Sequence, residues 1–151
     1  MKDQYLEYIV LLEKTLASFY EKIKKKESLS AIRTVLEFME THSEGHALSI
    51  EENLNKLDCP SLSPNDIFNY QNNLTSEASE YLNEEKDLAA ILDKLSQTEN
   101  DLGDFYKDIA VKLDELSVHY SNVAKFINKL SEDEYNHRDI LLNDKERLLK
   151  H

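Results

Sequence analysis

The chain has almost nothing that breaks a helix: two glycines and two prolines in 151 residues. Both residue types disfavour helix interiors, so their scarcity predicts long helices with few turns. A single cysteine, Cys59, excludes an internal disulfide framework and any four-cysteine metal site. Basic residues are also in short supply, 18 against 30 acidic ones, for a formal charge of −12 and an isoelectric point near 4.8. That balance argues against nucleic acid or an anionic membrane as a partner. No apolar run reaches membrane-spanning length, and the opening MKDQYLEYIVLLEK lacks the uninterrupted apolar core of a secretion signal. The expectation is a soluble cytoplasmic protein. At this length a single domain, 1–151, buries about two thirds of its unfolded surface.

What the chain does have is helical periodicity. A stripe of Leu6, Ile9, Glu13, Leu16, Tyr20 and Ile23 predicts a helix over 3–25, closed by the run Lys24–Lys26, whose charge suits the negative end of the helix dipole. Ser28 or Ser30 is expected to cap a second helix over 30–57, with the stripe Ile32, Leu36, Met39, Ser43, His46 and Ile50 continuing toward Leu54 or Leu57. Cys59-Pro60 stops it. Residues 58–82 hold both prolines and read as a crossover, in which Ser63-Pro64 opens a short helix. A third helix over 83–114 carries Leu92, Leu95, Glu99, Leu102, Tyr106 and Ile109. After a turn near Ser117–Ser121, a fourth over 121–144 shows Val123, Ile127, Leu130, Glu134, His137 and Leu141. Short links within each half and a long link between them describe an all-α four-helix bundle: two helical hairpins joined by a crossover.

The two halves repeat one another. EKTLASFYEKI from Glu13 lies over ENDLGDFYKDI from Glu99, and aligning His46 with His137 brings Leu36/Ile127, Met39/Leu130 and Ile50/Leu141 into step. Each stripe is interrupted at its middle by an ionisable group: Glu13, His46, Glu99, and Glu134 with His137. Three inward carboxylates need protons, His–Glu pairing or a bound metal, because an unpaired buried charge is costly. Glu134 and His137 stand on adjacent turns of one helix face, about 4.5 Å apart along the axis, a spacing that can grip a metal ion. In the first repeat the matching pair is Ser43 and His46.

On these residues the chain resembles the ferritin-like di-iron carboxylate proteins, most of all the rubrerythrin branch without its rubredoxin domain. That family takes one Glu from each of two helices and a Glu-x-x-His from each of the other two. The resemblance spans all four helices. It implies that Glu13 and Glu99 are the single glutamate ligands, that Glu134 and His137 form one complete pair, and that His46 is the other histidine, with Ser43 where the family has glutamate. It implies two iron ions, with manganese or zinc as alternatives. It further implies catalytic Glu13, Glu99 and Glu134, reduction of peroxide or oxidation of Fe(II) with O₂ or peroxide as oxidant, a separate electron-donor protein, and a homodimer.

Ser43 leaves several outcomes open. Glu40, one turn away, or Glu44 can substitute; a single metal can sit on Glu99, Glu134 and His137; water or an anion can fill the gap beside two metals; or the site is metal-free with raised carboxyl pKa values. The single-metal and metal-free outcomes lead to a second reading, a degenerate ferritin-like domain kept for binding or scaffolding, with zinc or no metal at the site. His42 lies four residues before His46, but its equivalent in the second half is Asp133, which favours a flanking position over a primary ligand. Tyr20 and Tyr106 point toward the site and can hydrogen-bond ligands. Gly45 and Gly103 both lie near the ligand layer, which suggests room for an exogenous ligand or a close helix contact. His119 and His151 read as surface groups, and Cys59 as a structural residue.

Overall fold

The computed structural model describes residues 5–57, 59, 75–84 and 87–150, and these are all-helical. Helix α1 spans Tyr5–Lys24 and α2 Arg33–Asn53. A short α3 covers Ser76–Glu84, followed by α4 over Leu88–Leu116 and α5 over Ser121–Leu149. The helices pack as a bundle. α1 lies against α2, α4 lies against α5, and α2 touches α5 across the two pairs. One apolar core runs through it, from Leu6, Leu16 and Leu36 to Leu92, Leu102, Ile127 and Leu141. Every stripe residue expected to face inward within the helices is buried, except His46, which is partly so.

Helix boundaries depart from the sequence reading in several places. α2 starts at Arg33, because Glu27–Ile32 forms a 3₁₀ turn that brings Leu29 and Ile32 together into the core. Ser28 and Ser30 therefore cap nothing; the residue before α2 is Ile32, which makes no side-chain cap. α2 also ends at Asn53 rather than 57, although Leu54 and Leu57 still pack on the core from the turn beyond. α4 begins at Leu88, since the Asp87 carboxylate accepts from the Ala89 N–H and fixes the helix start there. Its predecessor α3 is a separate helix, seated through Ala78 and Leu82.

α5 continues to Leu149, five residues past the expected fraying point. Its last turns are held by the Lys145–Asp93 ion pair at 2.8 Å, by Arg147 donating to the Ala31 carbonyl, and by Leu148 against the core. The turn between α4 and α5 is where it was expected. Ser117 leaves the helix in extended conformation, and its hydroxyl accepts from the His119 N–H. Most of the segment expected to form a crossover, with Ser63 and Pro64, lies outside the described residues, as does His151. His119 is exposed and Cys59 buried. Among the described residues no helix is long and apolar enough to cross a membrane.

Candidate metal centre

The periodicity that buries the apolar stripes also carries Glu13, Glu99 and Glu134 into the core, where all three are fully buried. Glu134 is the hub. One group of donors joins Glu13, His46 and Glu134; a second joins Glu99, Glu134 and His137, and within each group the donor atoms lie within 4.8 Å of one another. His46 Nδ1 sits 3.0 Å from Glu134 Oε1 and 3.4 Å from Glu13 Oε1. His137 Nδ1 sits 3.4 Å from Glu134 Oε2 and 3.8 Å from Glu99 Oε2. The two imidazoles are nearly parallel, 5.5 Å apart between ring centres.

These approaches are close in distance but poorly aligned. Neither Nδ1 forms a hydrogen bond, and neither does Glu13 Oε2, Glu99 Oε2 or either oxygen of Glu134. Buried polar atoms are normally satisfied, so six orphaned donor atoms converging from four helices call for a shared partner. Mixed imidazole and carboxylate donors suit iron, manganese or zinc. The residues present fit two divalent ions, with Glu134 common to both, and fall one carboxylate short of the expected set.

Outside the cluster, each half braces the other. Tyr20 of α1 donates to Glu99 Oε1 at 2.9 Å, and Tyr106 of α4 donates to Glu13 Oε1 at 2.9 Å. His46 places its outer nitrogen Nε2 3.2 Å from Asp133 of α5, and His137 places its own 3.2 Å from Nδ1 of His42 on α2. Such outer contacts fix the tautomer of a ligating histidine and leave its inner nitrogen available. Phe38 backs His42 with its ring centre 3.9 Å away.

The charges follow from this packing. Burial, and then the carboxylates of Glu13 and Glu99, hold the Glu134 carboxyl well above its ordinary range. Burial pulls His46 down, but Glu13 and Asp133 outweigh it and raise the imidazole above its usual value. For Glu99, burial is outweighed by the Glu134 carboxyl, His137 and the Tyr20 hydroxyl, and its pKa is lowered. Burial and the Glu99 charge keep the Tyr20 phenol protonated as a donor. His42 is lowered by burial and by the neighbouring imidazoles, so at neutral pH its Nδ1 can accept from His137.

The structure thus brings together Glu13, His46, Glu99, Glu134 and His137. Glu40 and Glu44, the two proposed substitutes, belong to neither donor group. Glu40 is held by Lys24, with Nζ 2.5 Å from its Oε1, and Glu44 is exposed. His42 stands behind His137 and belongs to neither donor group. Asp133 is the one member of the surrounding shell not singled out from sequence as functional, and its alignment with His42 in the duplication is the signal that marks it. The glycines resolve differently from one another. A methyl group on Gly103 would come within 2.7 Å of the Tyr135 ring, and Ser131 donates to the Gly103 carbonyl, so a close helix contact accounts for this glycine. Gly45 is exposed and faces open space; no demand for room near the ligands explains it.

In comparison with known proteins, the chain matches no family model, no curated protein and no solved structure.

Proposed function

We propose that the chain is a ferritin-like, rubrerythrin-type di-iron protein that reduces peroxide or oxidises Fe(II), with its two hairpins joined by the crossover of that fold. The observation that carries this reading is the pair of donor groups sharing Glu134, with both inner nitrogens and four of the six carboxylate oxygens left without a hydrogen bond and the other two accepting from a tyrosine hydroxyl. Two iron ions held there would supply reversible ferrous–ferric electron transfer to peroxide or O₂, with electrons returned by a separate donor protein.

The chain's own residues have distinct parts in this. Glu13 and Glu99 each accept a tyrosine hydroxyl from the opposite hairpin on one oxygen and keep the other free of any hydrogen bond. Asp133 and His42 hold the imidazoles so that Nδ1 faces the cluster. Full burial of the three glutamates excludes bulk water, which strengthens every electrostatic interaction among them. A metal held there would displace protons from Glu134 and His46, whose carboxyl and imidazole are both raised by their surroundings.

Anaerobic Fe(II) titration is expected to show close to two ions per chain, and peroxide should oxidise them rapidly. The Glu99→Ala, Glu134→Ala double variant should lose both the tight binding and the fast oxidation. Wild-type binding no tighter than in that variant sinks the proposal.

A second reading, a degenerate domain serving as a binding or scaffold protein, is favoured by one observation: the buried Ser43 in the position of a ligand carboxylate. Elemental analysis of the purified protein separates the two. Zinc or no metal, without ferric charge-transfer absorbance after oxidation, supports the second.

A further inference from the structure

Ser43 lies one turn before His46 on the buried face of α2, in the place that Glu134 holds relative to His137. Its side chain is fully buried, and its hydroxyl has no hydrogen-bond partner. That is unusual within this molecule. Serine and threonine in a helix ordinarily return their hydroxyl to a carbonyl one turn back. Thr15 does so to Leu11, Thr98 to Lys94 and Ser96 to Asp93, while the buried Ser131 reaches across to the Gly103 carbonyl. Ser43 alone among these has a buried hydroxyl left unspent. Most of the other buried side-chain atoms without a hydrogen bond belong to the adjoining cluster: Glu13 Oε2, Glu99 Oε2, both Glu134 oxygens and both histidine Nδ1 atoms, with Glu40 Oε1 and Asp144 Oδ2 elsewhere.

Charge makes the same gap visible. Glu13, Glu99 and Glu134 bring three negative charges to a site whose donor groups suit two divalent ions, which leaves one positive charge uncompensated in a dry interior. Among the described residues no further carboxylate joins either donor group, and Asp133 meets only the outer nitrogen of His46. Glu40 is engaged by Lys24, and Glu44 points to solvent. Resting on the metal reading above, we infer that Ser43 marks the seat of a small exogenous carboxylate-type monoanion, such as formate or bicarbonate, which the protein binds together with its second metal ion. The Ser43 hydroxyl donates to one oxygen of the anion, and the anion supplies the charge that glutamate would otherwise bring. Anion and metal then bind with positive coupling, because each relieves a charge the other cannot leave unbalanced. The coupling is reciprocal: whatever the anion adds to metal affinity, the metal adds to anion affinity.

Co(II) is a redox-silent probe whose visible absorption reports binding directly. The wild-type chain is titrated in a sulfonate buffer, with perchlorate as the other anion, at increasing formate. Formate is expected to tighten the second Co(II) by roughly tenfold. Ser43→Glu should take two Co(II) without formate and be indifferent to it. Ser43→Ala removes only the hydroxyl and the risk of overpacking; it should match wild type without formate and need several-fold more formate for the same gain. Wild-type Co(II) binding that ignores formate overturns the anion seat while leaving the metal centre intact, as does a Ser43→Glu variant that responds like wild type. Wild-type binding no better than Glu99→Ala, Glu134→Ala at every formate concentration overturns the metal reading itself, and the anion seat with it.

Discussion

The α4–α5 hairpin carries a complete Glu134–His137 pair, whereas α1–α2 presents the same helix face with Ser43 before His46. The two halves differ in enclosure as well as charge. The His137 side chain is 3% exposed and backed by a neutral imidazole, while His46 is 13% exposed and backed by the carboxylate of Asp133. The half with serine in place of the donor carboxylate has a carboxylate just outside, against the outer nitrogen of its histidine. Neither half is self-sufficient, since both tyrosines and both outer partners come from the opposite hairpin. The two halves present similar faces, and packing makes them depend on each other.

The outer partners give the sharpest way to break this comparison. His42→Ala and Asp133→Ala should each lower metal affinity by roughly 10- to 100-fold. The Asp133 variant should suffer more, because it removes negative charge from the half already short of it. Competition titration with a chelating dye measures both, and unchanged affinity in both would show that the inner nitrogens need no bracing.

Titration of the metal-free protein separates the carboxylates. Glu134 is raised above its ordinary value of 4.5, so its contribution to stability is present below that value and is lost as pH rises through its folded pKa. His46, raised above 6.5, contributes in the same direction from that value upward. Glu99 is lowered, so its contribution holds above 4.5 and disappears only as pH falls through its folded pKa. Stability of the metal-free chain should therefore decline as pH rises, from about 4.5 upward for the Glu134 contribution and from about 6.5 upward for that of His46, with a limiting slope of about 1.4 kcal/mol per pH unit for each proton. Metal affinity should rise over the same range, because binding displaces those protons. Urea unfolding across a pH series tests the sign, and Glu134→Gln should flatten the decline. A stability that climbs from pH 6.5 to 8.5 contradicts the assigned charges.

The glycines offer the smallest contrast. Gly103→Ala should destabilise by about 1–2 kcal/mol, because the added methyl meets the Tyr135 ring at 2.7 Å. Gly45→Ala has open space and should stabilise α2 by up to about 1 kcal/mol. Equal effects at the two positions, measured by thermal unfolding, would remove the packing distinction between the halves.

Much of this was legible in the residues. The inward positions of Glu13, Ser43, His46, Glu99, Glu134 and His137 follow from the 3.6-residue period, because a helix flanked by apolar neighbours at that spacing buries whatever occupies the same stripe. Less legible were the helix ends, which local bonds decide: the 3₁₀ turn at Glu27–Ile32, the Asp87 cap and the Arg147 contact to Ala31. Glu40 was a reasonable substitute on spacing alone. Only the approach of Lys24 from α1 removes it.

By itself, then, the sequence determined which side chains face the interior and that two faces of one design recur, since both are properties of a single helix. The tertiary structure decided what those side chains meet. It gave each tyrosine to the glutamate of the other hairpin, turned Nδ1 of both histidines inward, made Glu134 the shared carboxylate, and left the Ser43 hydroxyl unspent. Those outcomes depend on the distance and rotation between helices far apart in the chain, and no period along one helix encodes them.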